Sequence, residues 1–248
     1  MRTIIIGDVH GCLEEFDELL KVVQHVPDRD RLILVGDLID RGPDPVGVVR
    51  RVREMGAESV MGNHEDKCVQ WFHREELRKS SGRINRMSVH PDRLVEWGRL
   101  SRDDLDWMES LPVVIQLPEG WWVVHAGFEA GPMGDQRPDK MMRVCHLDPS
   151  TGRMKSPDRN MDQRPGTVPW TDMWPHPESV VYGHSVHVDG PRVDWPSLGV
   201  ACVGIDTGCV FGGPLTAMIL DGGRVDFAQV RPKVVHFNHP KIREPTHA

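Results

Sequence analysis

Five short apolar runs in this chain end abruptly in clusters of Gly, Asp, Asn and His. Thr3–Ile6 runs into Gly7-Asp8-Val9-His10-Gly11, and Arg31–Val35 into Gly36-Asp37-Leu38-Ile39-Asp40-Arg41-Gly42. Glu58–Met61 runs into Gly62-Asn63-His64-Glu65, Trp121–Val124 into His125-Ala126-Gly127, and Ser179–Tyr182 into Gly183-His184. Short runs rich in β-branched and aromatic residues, bounded by turn formers, read as buried strands. Ligands of α/β sheets bind beyond the carboxyl ends of strands, so five such ends bearing Asp, Asn and His are expected to converge on one place. Their donors are carboxylate and amide oxygens and imidazole nitrogens, with no thiolate. That mixture suits Mn, Fe or Zn better than Ca and argues against a Cys-type structural zinc site there. The flanking glycines fit, because a Cβ would obstruct tight turns and close backbone approach.

The intervening segments define the fold class. Leu13, Phe16, Leu19, Leu20 and Val23 share one helical face, as do Val46, Val49 and Val52 within Pro45–Met55. Strand–helix–strand–helix–strand implies βαβ units and a largely parallel start to the sheet. Residues 66–110 are polar with scattered Trp and Met. They read as a helical insertion capping the sheet, clearest over Asp66–Arg78 and Ser101–Ser110. Residues 129–178 read as loop. Val200–Ile205, Leu215–Leu220 and Arg224–Val230 read as further strands, the last two around the turn Asp221-Gly222-Gly223. The expectation is one domain over residues 1–230 and a loosely ordered tail over 231–248.

Composition excludes several classes. A chain of 248 residues suits one large domain. No apolar run approaches the ~20 residues needed to span a bilayer, and no signal segment is visible, so no membrane association is expected. A net charge of −7 makes stable nucleic-acid binding unexpected. Five cysteines, an odd number with no CxxC, fit a reducing cytoplasm. Cys12 reads as a small buried filler, since no base or anion-cradling pattern accompanies it.

GDVHG, GDLIDRG, GNHE, VHAG and YGHS, in that order, resemble the calcineurin-like metallophosphoesterases, and more narrowly the phosphoprotein-phosphatase superfamily. Within it, Pro169–Trp174 and Ile205–Gly213 are similar to bacterial bis(5'-nucleosyl)-tetraphosphatases and related serine/threonine phosphatase-like proteins. The resemblance implies a four-layer αββα sandwich with a helical cap. It implies two divalent ions about 3.5 Å apart, manganese first, with Fe, Zn or Ni as alternatives. Asp8 and His10 would hold one, Asp37 would bridge, and Asn63, His125 and His184 would complete the other. A hydroxide bridging them would attack phosphorus in line. His64, positioned by Asp40, would protonate the leaving oxygen, and Arg41 would clamp phosphate oxygens. A second phosphate-binding Arg falls between the fourth and fifth motifs: Arg143 first, with Arg137 or Arg153 as alternatives.

Two substrate classes follow from the resemblance. One is a small-molecule phosphate ester or dinucleoside polyphosphate, with broad phosphomonoesterase activity; the other is a phosphoprotein. A catalytically dead scaffold would have lost ligands, and none of the six is missing. Among the rest, Glu65 reads as orienting a turn, His187 as a solvated residue near the site rather than a ligand paired with His184, and His236 and His239 as residues of a flexible tail, with adventitious metal binding as the alternative. Trp170 and Trp174 read as packing, with stacking on a nucleobase as the alternative.

Overall fold

A computed structural model describes residues 1–155 and 165–238. The chain alternates strands and helices as the sequence implies. It begins β1 (Arg2–Ile6), α1 (Leu13–Val22), β2 (Asp30–Leu34), α2 (Pro45–Glu54) and β3 (Glu58–Ser59). Three helices follow: α3 (Asn63–Ser81), α4 (Pro91–Trp97) and α5 (Arg102–Glu109). Then come β4 (Val114–Gln116), β5 (Trp121–Val124), α6 (Pro138–Met141), β6 (His146–Leu147), β7 (Val168–Pro169) and β8 (Ser179–Tyr182). The chain closes with β9 (Arg192–Ser197), β10 (Val200–Gly204), β11 (Leu215–Asp221) and β12 (Arg224–Val230).

These strands form two sheets rather than one. The first has the order β12-β11-β1-β2-β3, and the second β4-β5-β8-β10-β9. β1, β2 and β3 run parallel, as the βαβ reading requires, and β5, β8 and β10 are parallel in the second sheet. Strand alternation sorts the core into layers. Ile5, Ile33, Val35 and Val60 point between the sheets and meet Val123, Val181, Ala201 and Val203. Ile4, Ile6, Leu32 and Leu34 point the other way, onto Phe16, Leu19, Val49 and Val52 of α1 and α2. This is the αββα arrangement. Its outermost layer on the second sheet is thin: Phe128, Trp170 and Trp174 cover Trp122, Val180 and Tyr182, joined by Met141 of the four-residue α6.

One sequence reading is corrected and two are extended. The segment 129–178 is not all loop, since α6, β6, β7 and a 3-10 turn at Trp170–Met173 lie in it. The tail is attached near its described end: the Phe237 amide donates to the Val210 carbonyl at 2.8 Å, and its ring meets Phe211 edge-on. His239 lies outside the described residues. The helices of 66–110 do more than lie over the sheet. Cys68, Val69, Trp97 and Met108 are buried in the same cluster as α1 and α2, and Asp104 of α5 pairs with Arg50 and Arg53 of α2.

Candidate active site

The ends of strands from both sheets meet at one edge of the sandwich. The loop after β1 is zipped to the loop after β2, with the amides of His10 and Gly11 donating to the carbonyls of Asp37 and Leu38 at 2.8 Å each. The second sheet joins through the His184 amide, which donates to Asp8 at 3.1 Å, and through His125 Nδ1, which donates to the Val35 carbonyl at 2.8 Å. Close approach is why Gly62 and Gly183 are glycines. A Cβ on the first would collide with Asp37 Oδ1, and on the second with Asp8 Oδ1.

Asp37 is the centre. Its Oδ2 lies 3.5 Å from His10 Nε2 and 3.7 Å from His64 Nε2, while its Oδ1 lies 3.3 Å from His125 Nε2. Two imidazole pairs flank it, His10 with His64 and His125 with His184, at centroid separations of 4.7 and 5.0 Å. Asn63 Oδ1 lies 3.0 Å from His125 Nε2. His10 Nδ1 donates to the Ile39 carbonyl at 2.8 Å. With Nδ1 committed in both His10 and His125, the Nε2 lone pairs face the site, the arrangement that metal-ligating histidines require.

The backbone is strained where the chemistry sits. His10, Asp37, Asp40, Arg41 and His184 adopt φ of 45, 50, 70, 74 and 64°. Among the described non-glycine residues the only other one with positive φ is Gln24. Each such residue costs of order 1–3 kcal/mol and persists only where the surroundings over-determine it. Glu65 supplies much of that determination. Fully buried, it accepts from the amides of Asp37 and Leu38 at 2.9 Å, Gly62 at 3.1 Å and Ile39 at 3.2 Å. It orients a turn, as the sequence reading has it.

The electrostatics call for cations. Burial pushes the Asp8 carboxyl well up, and Asp206 adds to the rise. Burial also lifts Asp206 to about 6 and, with Asp37 contributing, Glu65 to about 7. Burial would raise Asp37 too, but His125 and His64 hold it well below the ordinary range. Burial works against a charge on His125, yet Asp37 overrides it and lifts that imidazole to about 10. A metal ion bound by His125 Nε2 would displace such a proton. Burial, then His125, lowers His184 to about 3, and burial with Arg41 lowers His10, so both offer neutral nitrogens. Several buried carboxylates around neutral imidazoles fit divalent ions and are costly without them. Two groups can converge on one ion each: His10, Asp37 and His64, and Asp37, His125 and His184.

Asp40 is held from several sides. His64 Nδ1 hydrogen-bonds Asp40 Oδ2, Trp97 Nε1 donates to Oδ1 at 2.8 Å, and Arg93 pairs with Oδ2 at 3.3 Å. Glu96 accepts from the Asp40 amide at 3.1 Å. Arg93, Glu96 and Trp97 belong to α4 and its turns, so the helical insertion braces the His64–Asp40 pair. Trp97→Phe keeps the ring packing and removes one N–H from a buried carboxylate, which costs about 1–3 kcal/mol. The expected result is a roughly tenfold loss of kcat. The loss is concentrated on substrates with poor leaving groups, with KM little changed, as read by steady-state kinetics on two esters.

Arg41 donates to His10 Nε2 at 2.5 Å and His64 Nε2 at 3.1 Å, with its guanidinium 5.2 Å from the Phe211 ring centroid. Arg143 is not brought onto these groups; it pairs with Asp66 on the first turn of α3 at 2.6 Å. Arg137 pairs with Asp139 and Arg153 with Glu129. His187 is half-buried: burial lowers it to about 4, and its ring packs edge-on to Tyr182. Trp170 and Trp174 are 2% and 5% exposed and serve as packing. Sequence reasoning missed Asp206, although β10 running into Ile205-Asp206-Thr207-Gly208 carries the same strand-end signal as the other five.

Comparison with known proteins shows the family. The family model for calcineurin-like phosphoesterases matches residues 1–228. The chain belongs to that family. Among its relatives, a "Bis(5'-nucleosyl)-tetraphosphatase, symmetrical" of Janthinobacterium sp. is 29% identical, with 89% of this chain and 93% of that protein aligned. "Bis(5'-nucleosyl)-tetraphosphatase PrpE [asymmetrical]" of Geobacillus thermodenitrificans is 32% identical over 88% of this chain and 90% of its own. A solved structure whose name includes the words diadenosine tetraphosphatase superposes with a TM-score of 0.72 at 30% identity, covering 92% and 93% of the two chains. No helix among the described residues is long and apolar enough to cross a membrane.

Proposed function

We propose that this calcineurin-like phosphoesterase hydrolyses dinucleoside polyphosphates of the diadenosine tetraphosphate type, with a broad phosphomonoesterase activity beside it. The substrate class rests on relatives of that name aligned over about nine-tenths of both chains and on the matching fold. The reaction class rests on Asp37, whose two oxygens face separate imidazole pairs. In this reading Asp8, His10 and Asp37 hold one divalent ion and Asp37, Asn63, His125 and His184 the other, manganese being the expected metal. Bound there, two such ions neutralise phosphate charge and lower the pKa of water. His64 gives a proton to the leaving oxygen, and Asp40 keeps its Nδ1 turned away from the substrate. Arg41, within hydrogen-bond reach of both His10 and His64, offers a forked contact to an oxyanion beside them. Arg143 would be the second phosphate contact on leaving its pair with Asp66, one turn along α3 from Asn63. Five free thiols support a cytoplasmic setting.

The alternative is a serine/threonine phosphoprotein substrate. A yeast protein serine/threonine phosphatase shares the fold at a TM-score of 0.55 and 14% identity, which bears on fold alone. With Mn²⁺ loaded, diadenosine tetraphosphate and a phosphopeptide are to be compared at equal concentration, with nitrophenyl phosphate alongside. The expected outcome is faster turnover of the dinucleotide and measurable hydrolysis of the aryl ester. More than tenfold higher kcat/KM on the phosphopeptide would move the assignment to the alternative. The same assay reads cleavage position: two ADP signify symmetric cleavage, ATP with AMP asymmetric.

A further inference from the structure

A second group of metal-type donors stands apart from the catalytic ligands. Cys12 sits at the N-terminus of α1, Glu15 in its first turn, and His236 in the segment after β12. Cys12 Sγ, a Glu15 carboxylate oxygen and a His236 ring nitrogen all lie within 4.8 Å of one another. Glu15 is 6% exposed, its Oε1 is 3.2 Å from His236 Nε2, and its Oε2 is buried with no hydrogen-bond partner. An unpartnered buried carboxylate oxygen costs free energy, and a cation bound there would remove the cost. Cys209, buried in the 3-10 turn Cys209–Phe211, is a neighbouring second thiol outside that group of three. The segment bearing His236 is fixed beside that turn by the Phe237–Val210 hydrogen bond.

We propose that Cys12, Glu15 and His236, with the neighbouring Cys209 drawn in as fourth ligand, form a structural zinc site that fastens the C-terminal segment to the start of α1. Two sulfurs, one imidazole nitrogen and one carboxylate oxygen make a four-donor set of the kind zinc takes in structural sites. Thiolates select against Mg, Ca and Mn. The nitrogen–oxygen separation also fits, since two ligands at ~2.0 Å from a tetrahedral ion are ~3.3 Å apart, and the structure holds them at 3.2 Å. Binding would release the two thiol protons to solvent. In the folded chain the site would tie residues distant in sequence, Cys12 and His236, across the first helix layer.

The test uses cobalt(II) on the purified full chain after chelation. The catalytic ligands include no thiolate, so a thiolate-to-cobalt charge-transfer band in the near ultraviolet reports on this site alone. The expected result is one equivalent of cobalt giving that band, displaced by zinc. The band persists in Asp37→Asn, is lost in Cys12→Ser, and needs at least tenfold more metal in His236→Ala. His236→Ala leaves both buried thiols in place, and circular dichroism checks its fold, so the test stands even if Cys12→Ser misfolds. No band at saturating cobalt, or a band of unchanged strength and affinity in a folded His236→Ala, overturns the proposal. So does a Cys12–Cys209 disulfide in place of metal, read as two missing titratable thiols.

Discussion

Asp37→Asn is expected to abolish metal binding and turnover together. The variant is gentle to the backbone: Asp37 sits at φ 50°, and Asn is among the few residues that tolerate the left-handed region. The damage is electrostatic. The carboxylate now faces His10 and His64 with one oxygen and His125 with the other, and Oδ1 also accepts from the His64 amide at 3.0 Å. An amide keeps one acceptor, turns an N–H₂ toward imidazole Nε2 atoms that must act as acceptors for a cation, and removes the charge between them. If about 4 kcal/mol of transition-state stabilisation goes with the metals, kcat/KM falls ~10³-fold or more. Metal content by elemental analysis and kcat/KM on diadenosine tetraphosphate check it together, with circular dichroism confirming the fold. A folded variant that keeps both metals and full turnover would break the assignment of Asp37 as their bridge.

The strand ends were legible because their grammar is local: a β-branched run, then Gly and a polar donor. The same grammar was present at Asp206, after β10, and went unread as a site residue because its oxygen also closes a turn, accepting from the Gly208 amide. The two-sheet division was not legible from the strands themselves. Ile5 and Val123 face each other across the sandwich, yet nothing in either run says which sheet it joins. β9 was hidden for another reason. Arg192–Ser197 contains a proline and is largely exposed, as an edge strand can be, so it shows no apolar run. The bracing of Asp40 by Trp97 spans 57 residues of sequence. Only the fold of the helical insertion makes them neighbours, and Trp97 in sequence looks like any packing residue. His187 and His236 show the same limit. Their spacing said little, and their environments came from Tyr182 and Glu15, which tertiary structure supplies.

His64→Asn separates two roles that the geometry allows for one imidazole. His64 Nε2 points at Asp37 and can share an ion with His10, while its Nδ1 is bonded to Asp40, the arrangement of a proton donor held by a carboxylate. Burial lowers its pKa, and Asp37 and Asp40 work against that fall. Loss of a general acid typically costs ~10²–10⁴-fold. That cost applies where the leaving group is a poor one, such as an alkyl alcohol. Nitrophenolate leaves without a proton, so nitrophenyl phosphate is expected to lose much less rate, with both metals retained. If both substrates lose rate equally and one metal equivalent goes with them, His64 is a ligand rather than the acid. The proton must then come from another group in the cleft.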